Sequence, residues 1–324
     1  MTNETISEPL SDHGEEPSDF FRLSNFAHLH PCTQTELIDR VAAVIFHQPA
    51  LFFGLGALSA LPGLIVMLVN PGFSGASGTQ EVSMSDAFIT MIPWFLKEWP
   101  VAALILAGFQ KFVFPKRTMK MWVAMQTSLS ILLAFIGTRL FAWTIIMGLL
   151  LFVLSVGTTG GGGIAGMLAL PALVMALILL IYWSLTGVAV IIERTSFITA
   201  MARSWKILRQ RFRGKKLTDS PLSRLLLILI IPAVLFIVEQ ISLQTLGFFY
   251  PGGAYPKPPV DPSFTIPAGA IMFFFQTIRA PWLYVGLTMV YLECRMRNES
   301  LDIRIRLVEE KVGDDGTGFL PTKA

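Results

Sequence analysis

RTSFITAMARSWKILRQRFRGKK, residues 194–216, holds eight Lys/Arg and no Asp or Glu. Long apolar stretches flank it on both sides. In a soluble protein it would read as a basic surface helix. Between two hydrocarbon-length spans it locks topology, because loops rich in Lys and Arg stay cytoplasmic. Phe197, Ile198, Met201, Trp205 and Leu208 recur at helical spacing, with Arg203, Lys206 and Arg209 on the other face. This predicts an amphipathic helix at the membrane interface, with Trp205 and its apolar neighbours in the leaflet. The bases Arg203, Lys206, Arg209, Arg211, Arg213, Lys215 and Lys216 are then placed to meet anionic lipid headgroups, each contributing about 1 kcal/mol near such a surface. Nucleic-acid binding is not expected, since the apolar face of this helix suits a lipid interface.

The rest of the chain agrees with a membrane setting. It is 53% hydrophobic and 15% charged, with a mean hydropathy of +0.61; soluble domains carry about 25% charged residues. A span needs about 20 apolar residues, and six windows qualify: 51–69, 99–114, 140–156, 169–192, 225–248 and 268–292. The second is interrupted upstream by Lys97 and Glu98, so 86–96 reads either as its extension or as a re-entrant piece. With both termini cytoplasmic, 22 of the 25 Lys/Arg fall on the inner side. The expectation is therefore an all-α, multi-pass protein of a bacterial cytoplasmic membrane. Residues 1–32 form an acidic tail with six acids and no base up to residue 21, residues 33–308 the membrane domain, and residues 309–324 a second tail. Cys32 and Cys294 fall on the reducing side, so free thiols are expected.

Three segments resemble one another, each an amphipathic helix leading into a pair of spans. They are 36–46, 118–133 and the basic block. AMQTSLSIL from Ala124 and AMARSWKIL from Ala200 share Ala, Met, Ser, Ile and Leu in register. This suggests a threefold repeat of interfacial helix plus two spans.

Three motifs carry a family resemblance. Glu36, Leu37, Ile38, Asp39 and Arg40 match an E-L-[IL]-D-R helix entry. Ala200, Arg203, Ser204 and Trp205 match A-x-x-R-S-W. Tyr291, Arg295, Arg297, Glu299 and Asp302 match L-Y-x-D-x-R-x-R-x-E-G-x-D, with Glu293 in place of the Asp and Ser300 in place of the Gly. On these residues the chain resembles the bacterial membrane domain that precedes the catalytic barrel in some glycerophosphoryl diester phosphodiesterases, and which also occurs alone in YciC-like membrane proteins. The resemblance spans roughly residues 36–304. It implies a membrane fold and no activity, because no stretch offers the soluble length of a barrel or its His/Glu constellation.

Few residues could carry chemistry. Arg279 lies within span six, and Glu239 is the one acid well inside another span. Spans five and six run in opposite directions, so the two can meet in the outer half of the membrane, as a gate, a polar path or a packing pair. On a helix, i, i+4 spacing pairs Glu293 with Arg297 and Arg295 with Glu299, and this run can dock against the Arg203–Trp205 helix. No catalytic group, metal site or cofactor is expected; His28, His30 and Cys32 are too few for a metal. Three function classes follow: a non-enzymatic scaffold or envelope-homeostasis protein, a transporter or lipid-handling protein using Glu239 and Arg279, or the membrane subunit of an enzyme encoded elsewhere. A membrane or cytoplasmic protein partner fits the first and third.

Overall fold

The computed structural model describes residues 32–69, 84–115, 118–158, 164–209, 220–249 and 262–299. Helices account for nearly all of them: α1 Gln34–His47, α2 Pro49–Val69, α3 Met84–Val113, α4 Met121–Thr158, α5 Ile164–Tyr182, α6 Thr186–Glu193, α7 Phe197–Arg209, α8 Pro221–Phe249 and α9 Pro262–Glu299. Six stretches are long and apolar enough to cross a membrane. With no water in a bilayer core, each span must satisfy its backbone internally, which selects helices for such sequences. The chain is a multi-pass, all-helical membrane protein.

The structure decides one open reading and departs from the sequence at two further spans. Residues 86–96 are no re-entrant piece but the first turns of α3, which runs unbroken through Pro93 and Pro100. Residues 118–133 form no separate interfacial helix; from Met121 they continue into span three as the 38-residue α4. Span four is broken. Residues 183–185 form a turn between α5 and α6, and α6 ends at Arg194 in the left-handed region (φ 51°).

The amphipathic segments nonetheless bury the same positions. Leu37, Ile38, Val41, Val44 and Ile45 of α1 share one spacing with Ala124, Met125, Ser128, Ile131 and Leu132 of α4. Ala200, Met201, Ser204, Ile207 and Leu208 of α7 repeat it. All are buried except Ile38 and Leu132, which are half-buried. This corrects the expected apolar face of α7 at two of its five residues. Its Met201 and Leu208 pack into the protein, while Phe197, Ile198 and Trp205 stay exposed.

The second spans form the centre. Residues 101–107 of α3, 186–191 of α6 and 284–294 of α9 are buried on all sides, and the three helices touch one another. Around them α2 fills the gap between α9 and α3, and α4 the gap between α3 and α6. The third gap is different: α8 packs on α9, α7 and α1, with no comparable packing on α5 or α6. Beyond Thr138, only Ile146 of α4 and only Ala176 of α5 are buried among the described residues. The α4–α5 hairpin therefore buries little surface at the end opposite α7, and α5 does not pack on α8.

Glycines set two close approaches. A Cβ on Gly56 would lie 2.3 Å from the Thr277 carbonyl oxygen and 3.0 Å from Cδ of Pro281. Pro281 has no N–H for the carbonyl four residues earlier, which is that of Thr277. The α2 backbone comes up against this freed acceptor, where only a Cα–H fits. A Cβ on Gly286 would lie 2.3 Å from Ile228 Cγ2, bringing α9 onto α8.

Candidate functional site

Charges gather at two levels. At the α7 end, Glu193 accepts hydrogen bonds from the Tyr291 hydroxyl and from Arg203 Nε at 3.2 Å, and it pairs with Arg295 at 3.2 Å. Glu293 accepts from Arg297 Nε at 2.6 Å, Arg224 Nη1 at 3.2 Å and the Cys32 amide at 3.0 Å. Arg297 also donates to the Cys32 carbonyl at 2.6 Å. Residue Cys32, ahead of α1, is thereby stapled between α8 and α9. Burial and the adjacent Glu293 carboxylate push the Cys32 thiol up to about 11. Both cysteines are free and buried.

The basic motif acts here on the broken span. Ser204 donates to the Tyr182 carbonyl at 2.5 Å, an acceptor released by the break at residues 183–185. The Trp205 ring lies 4.3 Å from that of Tyr182, and Arg203 holds Glu193 at the far end of α6. Consecutive residues of α7 thus brace both pieces of span four.

The second level is deeper. Arg279 pairs with Glu239 and donates to Gln276 at 2.6 Å, with its guanidinium 5.3 Å from the Phe236 ring. Glu239 lies 15 residues along α8 from Arg224, and Arg279 lies 14 residues along α9 from Glu293, both about 21–23 Å from the α7-end cluster. In a core of about 30 Å this is the far third of the membrane. Nearer the middle, Arg139 pairs with Glu98 at 3.2 Å and donates through Nη2 to the Tyr284 hydroxyl at 3.0 Å. Its guanidinium lies 5.5 Å from both the Phe135 and Tyr284 rings. Lys97 sits close enough for its charge to act on Glu239. Three cations thus face two carboxylates, on four helices.

These pairs are unevenly enclosed. The carboxylates are 1% and 4% exposed, whereas the Arg139 and Arg279 side chains keep 22% and 20% exposure. An arginine at the centre of a span costs about 2.5–3.5 kcal/mol even on insertion scales. Part of each arginine side chain therefore stays accessible at this depth, while its guanidinium is already paired.

Of the residues singled out from sequence, Glu239 meets Arg279, Glu293 meets Arg297, and Arg203 joins Tyr291 and Arg295 through Glu193. Arg295 pairs with Glu193; the Glu299 side chain lies outside the described residues, as do Asp302, Arg211, Arg213, Lys215 and Lys216. Asp39 is exposed, Arg40 half-buried beside Cys32, and Lys206 and Arg209 are exposed on α7. Sequence reasoning missed Glu193, Arg224 and the Glu98–Arg139–Tyr284 group. Glu98 and Arg139 each stand one residue ahead of an apolar window, 99–114 and 140–156; that position was the signal. Among the described residues no group of three His, Cys, Asp or Glu could hold a metal. Comparison with models of protein families, with curated proteins and with solved structures finds no match to this chain.

Proposed function

We propose that the protein is a non-enzymatic lipid-handling protein of a bacterial cytoplasmic membrane, with both termini cytoplasmic, that admits an anionic amphiphile to its intramembrane charges. One observation carries this reading: Arg139 and Arg279 remain a fifth exposed at membrane depth while their carboxylate partners are enclosed. The absence of packing between α5 and α8 leaves a side of the bundle on which a lipid could approach. The base distribution supports the orientation, and Lys206 and Arg209 on the exposed face of α7 support anionic lipid at the cytoplasmic side. The resemblance to the membrane domain of phosphodiesterases is consistent with a lipid-facing role without a barrel. The test is lipid analysis of protein purified in native membrane discs. Wild type is expected to retain anionic lipid in excess over the surrounding membrane, and Glu239→Gln/Arg279→Gln, which removes both charges together, to lose that excess. Equal lipid profiles would overturn the reading.

A second reading, a scaffold for a membrane partner, is favoured by the α4–α5 hairpin, whose Leu133, Trp143, Leu151 and Leu170 stand exposed away from the bundle. Recovery of a stoichiometric protein partner that is lost on shortening this hairpin would favour it.

A further inference from the structure

We infer that Glu239 is a built-in counter-ion, which the phosphodiester head of an anionic lipid displaces from Arg279. This rests on the lipid-handling reading; the entering group is a phosphate diester, and the contact it breaks is the Glu239–Arg279 salt bridge.

The place for an anion at Arg279 is defined by the anion already in it. The Glu239 carboxylate pairs with Nη1 of Arg279, while Nη2 donates to Gln276 Oε1 at 2.6 Å. A guanidinium offers a phosphate oxygen the same donors that it offers a carboxylate. The Arg279 guanidinium lies over the Phe236 ring, 5.3 Å from its centre. Phe236 is itself exposed, as are Ile237 and Ile241 on the same helix. Exposed apolar surface for acyl chains thus adjoins the guanidinium, which suits an amphiphile better than a free ion.

Charge gives the exchange its direction. Among the described residues at this level, Lys97, Arg139 and Arg279 face Glu98 and Glu239, an excess of one cation. A phosphodiester carries one negative charge at neutral pH, so its entry brings the group to balance. Arg279 is the easier of the two arginines to reach. Arg139 is held by Glu98, by the Tyr284 hydroxyl and by two rings at 5.5 Å, whereas Arg279 meets one ring. A carboxylate left buried without a cation is costly, and Lys97 answers that cost. Its charge acts on Glu239, and its ammonium has no hydrogen bond or ion pair among the described residues. The displaced carboxylate therefore has a second cation to turn to.

The exchange is tested on full-length protein by native mass spectrometry with phosphatidylglycerol and with a diacylglycerol of the same chains. Melting temperature is followed in parallel. Phosphatidylglycerol is expected to bind and diacylglycerol not. Arg279→Gln should weaken binding by about tenfold or more, as for a lost hydrogen bond between charged groups. Glu239→Gln should strengthen it about tenfold, as for a site that the native carboxylate leaves free about a tenth of the time. Glu239→Asp keeps the charge and shortens its reach, so it should fall between wild type and Glu239→Gln. Without lipid Glu239→Gln should melt below wild type, and phosphatidylglycerol should raise its melting temperature by more than that of wild type. Lys97→Gln should weaken binding; unchanged binding there leaves the displaced carboxylate without its cation and overturns the exchange. If Arg279→Gln loses the lipid while Glu239→Gln and Glu239→Asp bind no more tightly than wild type, the lipid-handling reading survives and the displacement falls. Diacylglycerol binding as well as phosphatidylglycerol also overturns it, as does loss of the lipid on Lys206→Ala/Arg209→Ala alone, which places binding at the surface. So does stabilisation of Glu239→Gln by millimolar inorganic phosphate when the lipid does not bind, which puts a free ion at Arg279. If Arg279→Gln and Glu239→Gln/Arg279→Gln both bind like wild type, the lipid-handling reading falls with it.

Discussion

Ser204 shows how one hydroxyl supports a distant architecture. Its hydrogen bond goes to the Tyr182 carbonyl, which the turn at residues 183–185 leaves without a helical donor. Ser204 is itself fully buried. Ser204→Ala leaves that carbonyl without its donor, so it should cost about 1–3 kcal/mol, read as a lower unfolding midpoint in detergent. An unchanged midpoint would mean the break is held by α5 and α6 alone. Cys32 gives a pH-dependent counterpart. Its thiol is raised from 9.0 to about 11 by burial and Glu293. A raised folded-state value means the unfolded chain releases its proton first as pH rises. This contribution to stability is therefore intact below about pH 9 and lost between about 9 and 11. Cys32→Ser should flatten the fall in unfolding midpoint over that window. In the folded wild type, alkylation of Cys32 at pH 8 should be slow and should accelerate on unfolding.

Among the elements, the α2–α9 contact is the most exacting. Gly56→Ala places a methyl 2.3 Å from a backbone oxygen, which cannot move as a side-chain tip can. Overpacking of this kind costs about 1–3 kcal/mol. Gly63, on the same helix, has nothing within 4 Å of its Cβ position, so Gly63→Ala should be neutral or mildly stabilising. The pair of variants, compared by melting temperature, separates packing from helix propensity. What was legible in the sequence divides along similar lines. Span positions follow from local hydropathy, and the common depth of Glu239 and Arg279 follows from counting residues along two antiparallel helices. The break at residues 183–185 was hidden because Trp183, Ser184 and Leu185 carry no charge and no glycine or proline. Of the α7 stripe expected to face the leaflet, Phe197, Ile198 and Trp205 stay exposed, while Met201 and Leu208 turn into the bundle, a split that helical spacing alone does not encode. Glu193 and Glu98 gain their meaning only from partners about 40 to 100 positions away or from neighbouring helices, which no local pattern encodes.

At the scale of the whole molecule, three helix units share a centre but close only two of their three seams. α3 and α4 close one around Glu98–Arg139, and α9 and α2 close another through Gly56. At the third, α7 braces one end and the α4–α5 hairpin buries little surface at the other. Arg139 lies where α3 and α4 close on each other and Arg279 lies in the far third, and the partial exposure of both is the basis for assigning lipid handling. It is tested most directly by headgroup-labelled phosphatidylglycerol redistribution in proteoliposomes containing purified protein. The account predicts redistribution well above protein-free vesicles for wild type, and at least a tenfold reduction for Glu239→Gln/Arg279→Gln at equal reconstitution and unchanged folding. Wild-type vesicles that redistribute lipid no faster than empty ones, or a double variant as fast as wild type, would contradict it.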